Sequence, residues 1–287
     1  MTGSVAVVTD SAASLPSDLV EQWGIRVVPM QVILDDAARL EGEQIGPAEV
    51  LKALESGARV TTSQPSIAQF EAAFEQAVAE GASHVVAVLI SGKISGTVSG
   101  ALAAAERADA PVTIVDTSTL AMATGFAALA AAFTARQGGT PEQVAAAARE
   151  VAGSTRCLFT VATLEHLRRG GRISPAVAAV GKVLGVRPVL DVHDGEVVVA
   201  ERVRSTQRAR AAVVDLAAQA AAQMAHPAVA VMALGDDEAG DQAVASLSAA
   251  TPDAVMTIRT EVSAVLAGHA GPGTLAVVVA DLPEGLR

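Results

Sequence analysis

The sequence predicts an α/β protein made of two α/β domains, the first with a mostly parallel sheet and the second with a mixed sheet. Three observations carry this. Short β-branched runs alternate with helix-like segments through the first half of the chain, the pattern of repeated βα units. Those runs are apolar with little alternation, as strands are when both faces of their sheet are covered. The second half interleaves similar units with a hairpin, which brings antiparallel pairing into the same sheet. At 287 residues the chain is long for one domain and comfortable for two. The boundary is placed near Gly153, giving domains over 1–153 and 154–287.

Taken in order, "SVAVVT" (4–9) reads as a buried strand, and Pro16 opens a helix over "PSDLVEQW". "RVVPMQVIL" (26–34) is extended, with Pro29 marking an edge or a bulge. "PAEVLKALES" and "SIAQFEAAFEQAVAEG" are helices. The second begins with a capping box, Ser66 to Gln69, and stops near Gly81. "HVVAVLI" (84–90) is a strand, followed by a helix from about Ser95. "VTIVD" (112–116) is a strand, then an Ala-rich helix covers 118–136 and another 141–151. Beyond the boundary, "RCLFTVAT" is a strand and "LEHLRRGGRIS" turns through paired glycines. "VRPVLDVHDGEVVVAERVR" is a hairpin whose turn signal is Asp194-Gly195. A helix over 206–223 follows, then strand, helix, strand and a final strand, "GTLAVVVAD".

Composition narrows the function. Hydrophobic residues make up 51% and charged residues 18%, which argues against disorder. Aromatics are only 2%, so the core is built from Ala, Val, Leu and Ile. A formal net charge of -11 repels phosphate backbones, and no aromatic residues interleave the basic ones for base stacking. Nucleic acid is therefore not the expected partner. The single cysteine, Cys157, reads as a small buried hydrophobe, with no partner for a disulfide and no cluster for zinc. The first residues lack a basic n-region, and no breaker-free stretch reaches membrane-span length. A cytoplasmic protein without stable membrane insertion is expected.

Two hydroxyl-rich stretches stand out. In "ISGKISGTVSG" (90–100) a strand ends, a Ser/Gly loop follows and a helix begins. Free N–H groups at a helix start, with Ser91, Ser95, Thr97 and Ser99 as donors, suit a carboxylate or phosphate. The plainer alternative is that Ser95 caps its own helix. "TTSQPS" (61–66) either reaches the same rim or is a plain turn into a capped helix. Asp10 and Ser11 close the first strand, on the rim where parallel sheets collect ligands. No Walker loop, dinucleotide loop or Gly-x-Ser-x-Gly elbow is present. Ser95, His269 and Asp10 compose a possible nucleophile set, and His269 reads as a loop histidine in "GHAGPGT". Arginines gather at Arg168, Arg169 and Arg172 and again at Arg202, Arg204, Arg208 and Arg210. They form a solvated face or the seat of an anionic ligand or acidic partner.

"VVTDSAASLP", "TTSQPS", "SGKISGTVSGA", "VDTSTLAMATG", "LEHLRRGGRIS", "VLGVRPVL" and "HAGPGTLAVV" together resemble, in order and over nearly the whole chain, the motifs of the DegV family. The resemblance implies a long-chain fatty acid bound in the cleft between the two domains, its acyl chain in an apolar tunnel. It implies a carboxylate held by Thr62, Ser95 and His269, with Ser63, Gly96, Thr97, Asp10 and Ser11 as further candidates. It also implies that the protein is no enzyme by itself: it is the lipid-binding subunit that presents the carboxylate to a separate fatty acid kinase subunit, which forms the acyl phosphate. Arg172 and Arg204 match positions facing that partner or its phosphate. No cofactor and no metal are called for; the fatty acid is the ligand. Two departures, Lys93 within the serine-rich loop and Val98 in place of an aromatic, bear on tunnel shape, as do the small residues Ala123 and Ala127. The alternatives from other classes are a serine hydrolase acting on a lipid ester through Ser95 and His269, and a phosphotransfer module. Three neutral donors suffice for a carboxylate, because the tail supplies roughly 0.8 kcal/mol per buried CH₂.

Overall fold

The structure, a computed structural model, describes residues 4–180 and 186–286. The motif at 183–190 therefore begins outside the described residues. The first half runs β1 (Ser4–Asp10), a short 3-10 turn (Ser11–Ala13), α1 (Ser17–Trp23), β2 (Arg26–Val28), β3 (Gln31–Leu34), β4 (Ala37–Leu40), α2 (Pro47–Glu55) and β5 (Val60–Ser63). It continues with α3 (Ile67–Ala79), β6 (Ala82–Leu89), α4 (Thr97–Ala105), β7 (Val112–Asp116), α5 (Met122–Arg136) and α6 (Pro141–Ser154). The second half runs β8 (Arg156–Thr160), α7 (Glu165–Arg169), α8 (Pro175–Val180), β9 (Arg187–His193), β10 (Glu196–Val203), α9 (Thr206–Ala221) and β11 (Pro227–Leu234). It ends with α10 (Asp237–Ala250), β12 (Met256–Glu261), α11 (Ala264–Ala270) and β13 (Thr274–Asp281).

Two large sheets result. The first, ordered β2-β1-β6-β7, is wholly parallel. The second, ordered β10-β9-β8-β13-β11-β12, is mixed: β11 and β12 run parallel and the other pairs antiparallel. Helices α5 and α6 lie between them, touching β1, β6 and β7 on one side and β13 on the other. This explains the composition of α5. Met122 through Ala132 are all buried, so the helix is apolar all round. Its many alanines let two sheets approach one thin helical layer. The opposing face of the mixed sheet is small too, with Ala228, Ala230, Ala276 and Ala280 turned inward. The outer faces are covered by α3 and α4 on the parallel sheet and by α9 and α10 on the mixed one. The inner strands, such as β6, β9, β11 and β13, are thus buried on both faces, which is why they read as continuous apolar runs, while the edge strand β10 is largely exposed.

Several expectations shift. The stretch 26–34 is not one strand. Pro29 and Met30 separate β2, in the parallel sheet, from β3, in a three-stranded antiparallel sheet ordered β4-β3-β5. That third sheet was not anticipated, because its β3–β4 turn uses Asp35 and Asp36, at φ 52 and 59, where a glycine would have announced it. "TTSQPS" supplies the end of β5 before Ser66 caps α3. The Ala-rich helix begins at Met122 and not at 118, since Ser118 and Ala121 take φ 51 and 56. The helix expected from Ser95 starts at Thr97. His269 lies not in a loop but in the last turn of α11.

Candidate ligand-binding site

The site is assembled from four places. Strand β5 presents Thr62, the loop after β6 presents Ser95, the turn after α7 presents Arg172 and α11 presents His269. The β6 loop is held by the ends of its neighbours. Ile90 N–H donates to Asp10 Oδ2 at 2.8 Å, Ser91 N–H to the Thr119 carbonyl at 2.8 Å, and Gly92 N–H to Asp116 Oδ2 at 3.2 Å. From the other half, the Gly195 carbonyl at the hairpin tip accepts from the buried Ser91 hydroxyl at 2.9 Å.

Strand β5 and α11 pack unusually closely. A Cβ on Gly268 would lie 3.1 Å from Val60 Cγ1, so glycine there lets the helix rest on the strand. The Thr62 hydroxyl and His269 Nε2 are then 2.7 Å apart. A Cβ on Gly170 would lie 2.2 Å from His269 Nδ1, so the paired-glycine motif makes room for the imidazole. Burial, and then the neighbouring Arg172 charge, hold the His269 imidazole down at about 4, so it is neutral at pH 7. The Ser95 hydroxyl pairs with Thr97 Oγ1 at 2.8 Å. The Arg172 guanidinium is anchored to the carbonyls of Ile94, at 3.3 Å, and Gly170.

Thr62, Ser95, Arg172 and His269 line one cavity. Its other walls are mostly apolar: Ile90, Ile94 and Leu120 from the rim of the parallel sheet, Phe159, Met232 and Ala276 from the inner face of the mixed one. The void between these atoms totals about 840 Å³, part of it open to solvent, yet a water-sized sphere can centre itself in only about 80 Å³ of it. The cavity is therefore narrow. A second, more polar cleft adjoins it, sharing Thr62, Arg172 and His269 and adding Arg59, His166 and Arg169.

The other candidates take different places. Asp10 does not line the cavity; it accepts from Ile90 N–H and, at 3.0 Å, from Ala12 N–H, and burial pushes its carboxyl up to about 7. Ser11 donates to Glu41 and accepts from Met30 N–H at 2.9 Å. Ser63, one residue from Thr62 on a strand, points away, its hydroxyl 3.2 Å from the Gln64 carbonyl. Gly96 leaves room for the Gln64 side chain, and Thr97 is buried beneath Ser95. Arg204 is exposed and outside the cavity. The departures are also outside it: Lys93 is exposed, 4.0 Å from Glu196, and Val98 packs under Gly92. Ala123 and Ala127 are buried in the interlayer core and do not widen the cavity.

A Ser95–His269–Asp10 relay is not formed. His269 Nε2 faces Thr62, Ser95 faces Thr97, and both Asp10 oxygens accept backbone N–H groups. Sequence reasoning missed Gln64, which lines the cavity from inside the "TTSQPS" motif, and treated Cys157 as core although it also lines the cavity. The polar cluster on the cavity lining is not made of neutral donors alone, because Arg172 shares it. Among the described residues, no group of three or more His, Cys, Asp or Glu is placed to hold a metal ion, and no helix is long and apolar enough to cross a membrane.

A family model described as an uncharacterised protein of the DegV family matches residues 4–282. The chain belongs to the DegV family. Among curated DegV domain-containing proteins, one from Streptomyces coelicolor is 39% identical over 281 residues, covering 98% of this chain and 100% of its own. Among solved structures, a DegV family protein from Thermus thermophilus, described as binding fatty acid, is 35% identical with a TM-score of 0.90, covering 97% of this chain and 100% of its own. DegV from Bacillus subtilis, described as a fatty acid binding protein, is 29% identical with a TM-score of 0.88, covering 97% and 99%. This DegV protein therefore shares its fold along nearly its whole length with proteins described as binding fatty acids.

Proposed function

We propose that this DegV protein binds a long-chain fatty acid between its two halves, residues 1–153 and 154–287, and presents the carboxylate to a separate kinase subunit. The observation that carries the reading is one narrow apolar cavity with Thr62, Ser95, Arg172 and His269 gathered on its lining. A thread-like tail suits such a void, and a bulky or polar ligand does not. Burying about fourteen CH₂ groups is worth roughly 11 kcal/mol before the costs of association are subtracted. The carboxylate needs hydrogen-bond donors to replace water. Thr62 and Ser95 supply hydroxyls, neutral His269 supplies a ring N–H in one tautomer, and Arg172 supplies charge.

The adjoining cleft supports the second part of this reading. It brings Arg59, Arg169 and Arg172 to the same polar end in a chain of net charge -11. Positive charge there suits a phosphoryl group approaching the carboxylate. A carboxylate oxygen forms the new P–O bond as the P–O bond to the donor's leaving group breaks, and that leaving group is held by the kinase subunit. In this reading the DegV protein turns nothing over by itself.

Native mass spectrometry of the purified chain, followed by organic extraction, tests this. A bound mass that is released as a C14–C18 fatty acid is expected. A chain that carries no lipid, and takes up none from palmitate, contradicts it.

A further inference from the structure

Glu41 follows β4 in the N-terminal half, with its backbone N–H donating to the Met30 carbonyl at 2.9 Å. It is buried, at 7% exposure. Its carboxylate reaches across to the C-terminal half. Oε1 accepts from Val265 N–H at 2.8 Å. Oε2 accepts from the Ser11 hydroxyl. The side chain thus occupies the N-terminal end of α11, where N–H groups lack intrahelical partners and negative charge is favoured.

That helix has seven residues, too few to hold its shape without tertiary ties. Val265 and His269 are four positions apart, on one face and one turn from each other. Whatever fixes the Val265 N–H therefore fixes the place of the His269 ring. The Ser263 hydroxyl, 3.5 Å from Leu266 N–H, is a weak substitute cap. Nothing in the reading above requires a buried carboxylate here, and burial pushes its pKa up, so the position is costly.

We infer that Glu41 is a positioning residue: its carboxyl oxygen, braced by Ser11, clamps the first turn of α11 and so holds His269 against Thr62 at the polar end of the cavity. The inference rests on the fatty-acid reading for its purpose and on contacts within the chain for its substance.

The test is an NMR titration of the His269 imidazole in the full ¹⁵N-labelled chain, assigned by its loss in H269Q, together with palmitate affinity. In the parent chain a midpoint near 4 is expected, because burial disfavours the charged ring. In Glu41→Ala, a loosened helix admits water and the midpoint rises by about one pH unit or more, while palmitate binds about tenfold more weakly, 1.4 kcal/mol. Glu41→Gln keeps the acceptor oxygen and restores both values. An unchanged midpoint in Glu41→Ala, or Glu41→Gln behaving like Glu41→Ala, overturns the inference. Should Glu41→Ala not fold, Ser11→Ala is read the same way: a smaller rise is expected, and no rise overturns it. If palmitate fails to bind the parent chain, the fatty-acid reading falls and the titration alone decides the role of Glu41.

Discussion

Thr62→Val removes one hydroxyl and little else. Valine has the same branching, so β5 keeps its pairing of residue 62 with Val32 in β3. What is lost is the 2.7 Å contact to His269 Nε2 and one of the donors at the polar end. Without ligand, the lost hydrogen bond leaves the largely buried His269 Nε2 unpaired, so the cost to folding is about 1–3 kcal/mol. With ligand, the missing bond is one to a charged carboxylate, worth about 1.5–3 kcal/mol, or roughly 10- to 150-fold in affinity. Isothermal titration with palmitate, and with hexadecanol as a chain of equal length lacking the charge, separates the two effects. The palmitate constant should weaken within that range while hexadecanol changes less than about threefold. An unchanged palmitate constant, or an equal loss for the alcohol, refutes the assignment of Thr62 to the carboxylate.

Three further outcomes follow from the same geometry. His269, held at about 4 against an ordinary 6.5, lowers stability as pH falls through that window, by up to about 3 kcal/mol; Asp10, raised from 3.8 to about 7, lowers stability as pH rises through its own, by about 4 kcal/mol. His84 and His166 add to the first effect and Glu41 to the second, so Asp10→Asn should make urea-unfolding stability rise more steeply between pH 4 and 6.5, and His269→Gln should make it fall more steeply; slopes equal to the parent's in both variants sink this. Gly170→Ala puts a Cβ where the His269 ring sits, 2.2 Å from Nδ1, and should cost about 1–3 kcal/mol of stability together with palmitate binding, read by thermal melts and titration; parent-like values would place the ring elsewhere. Ala276→Leu fills part of the cavity from the inner face of β13, so palmitate affinity should fall about tenfold or more while folding holds, as measured by titration and circular dichroism; unchanged affinity would move the acyl chain out of this void.

Local chemistry made much of the fold legible. The capping box at Ser66 forms as read, Gln69 N–H meeting the Ser66 hydroxyl at 3.3 Å and Ser66 N–H meeting Gln69 Oε1 at 2.9 Å. The Asp194-Gly195 signal gives a two-residue turn between β9 and β10, at φ 47 and 80. Apolar runs marked the inner strands because these are covered on both faces. What escaped was non-local. The β3–β4 turn carries no glycine, and α11 contains two residues, Gly268 and His269, that read as loop. Glu41 looks like any surface glutamate until α11 arrives from 224 residues away. At the site, the order of motifs pointed to Thr62, Ser95 and His269, which share the cavity. Asp10 and Ser11 sit at the end of β1 but face inward as braces, a distinction only packing decides.

The most direct measurement is a crystal structure of the chain with palmitate. The account predicts the carboxylate within hydrogen-bond distance of Thr62 Oγ1, Ser95 Oγ and His269, with the acyl chain passing Met232 and Ala276. A carboxylate bound away from those three residues, or an acyl chain lying on the surface, would contradict it.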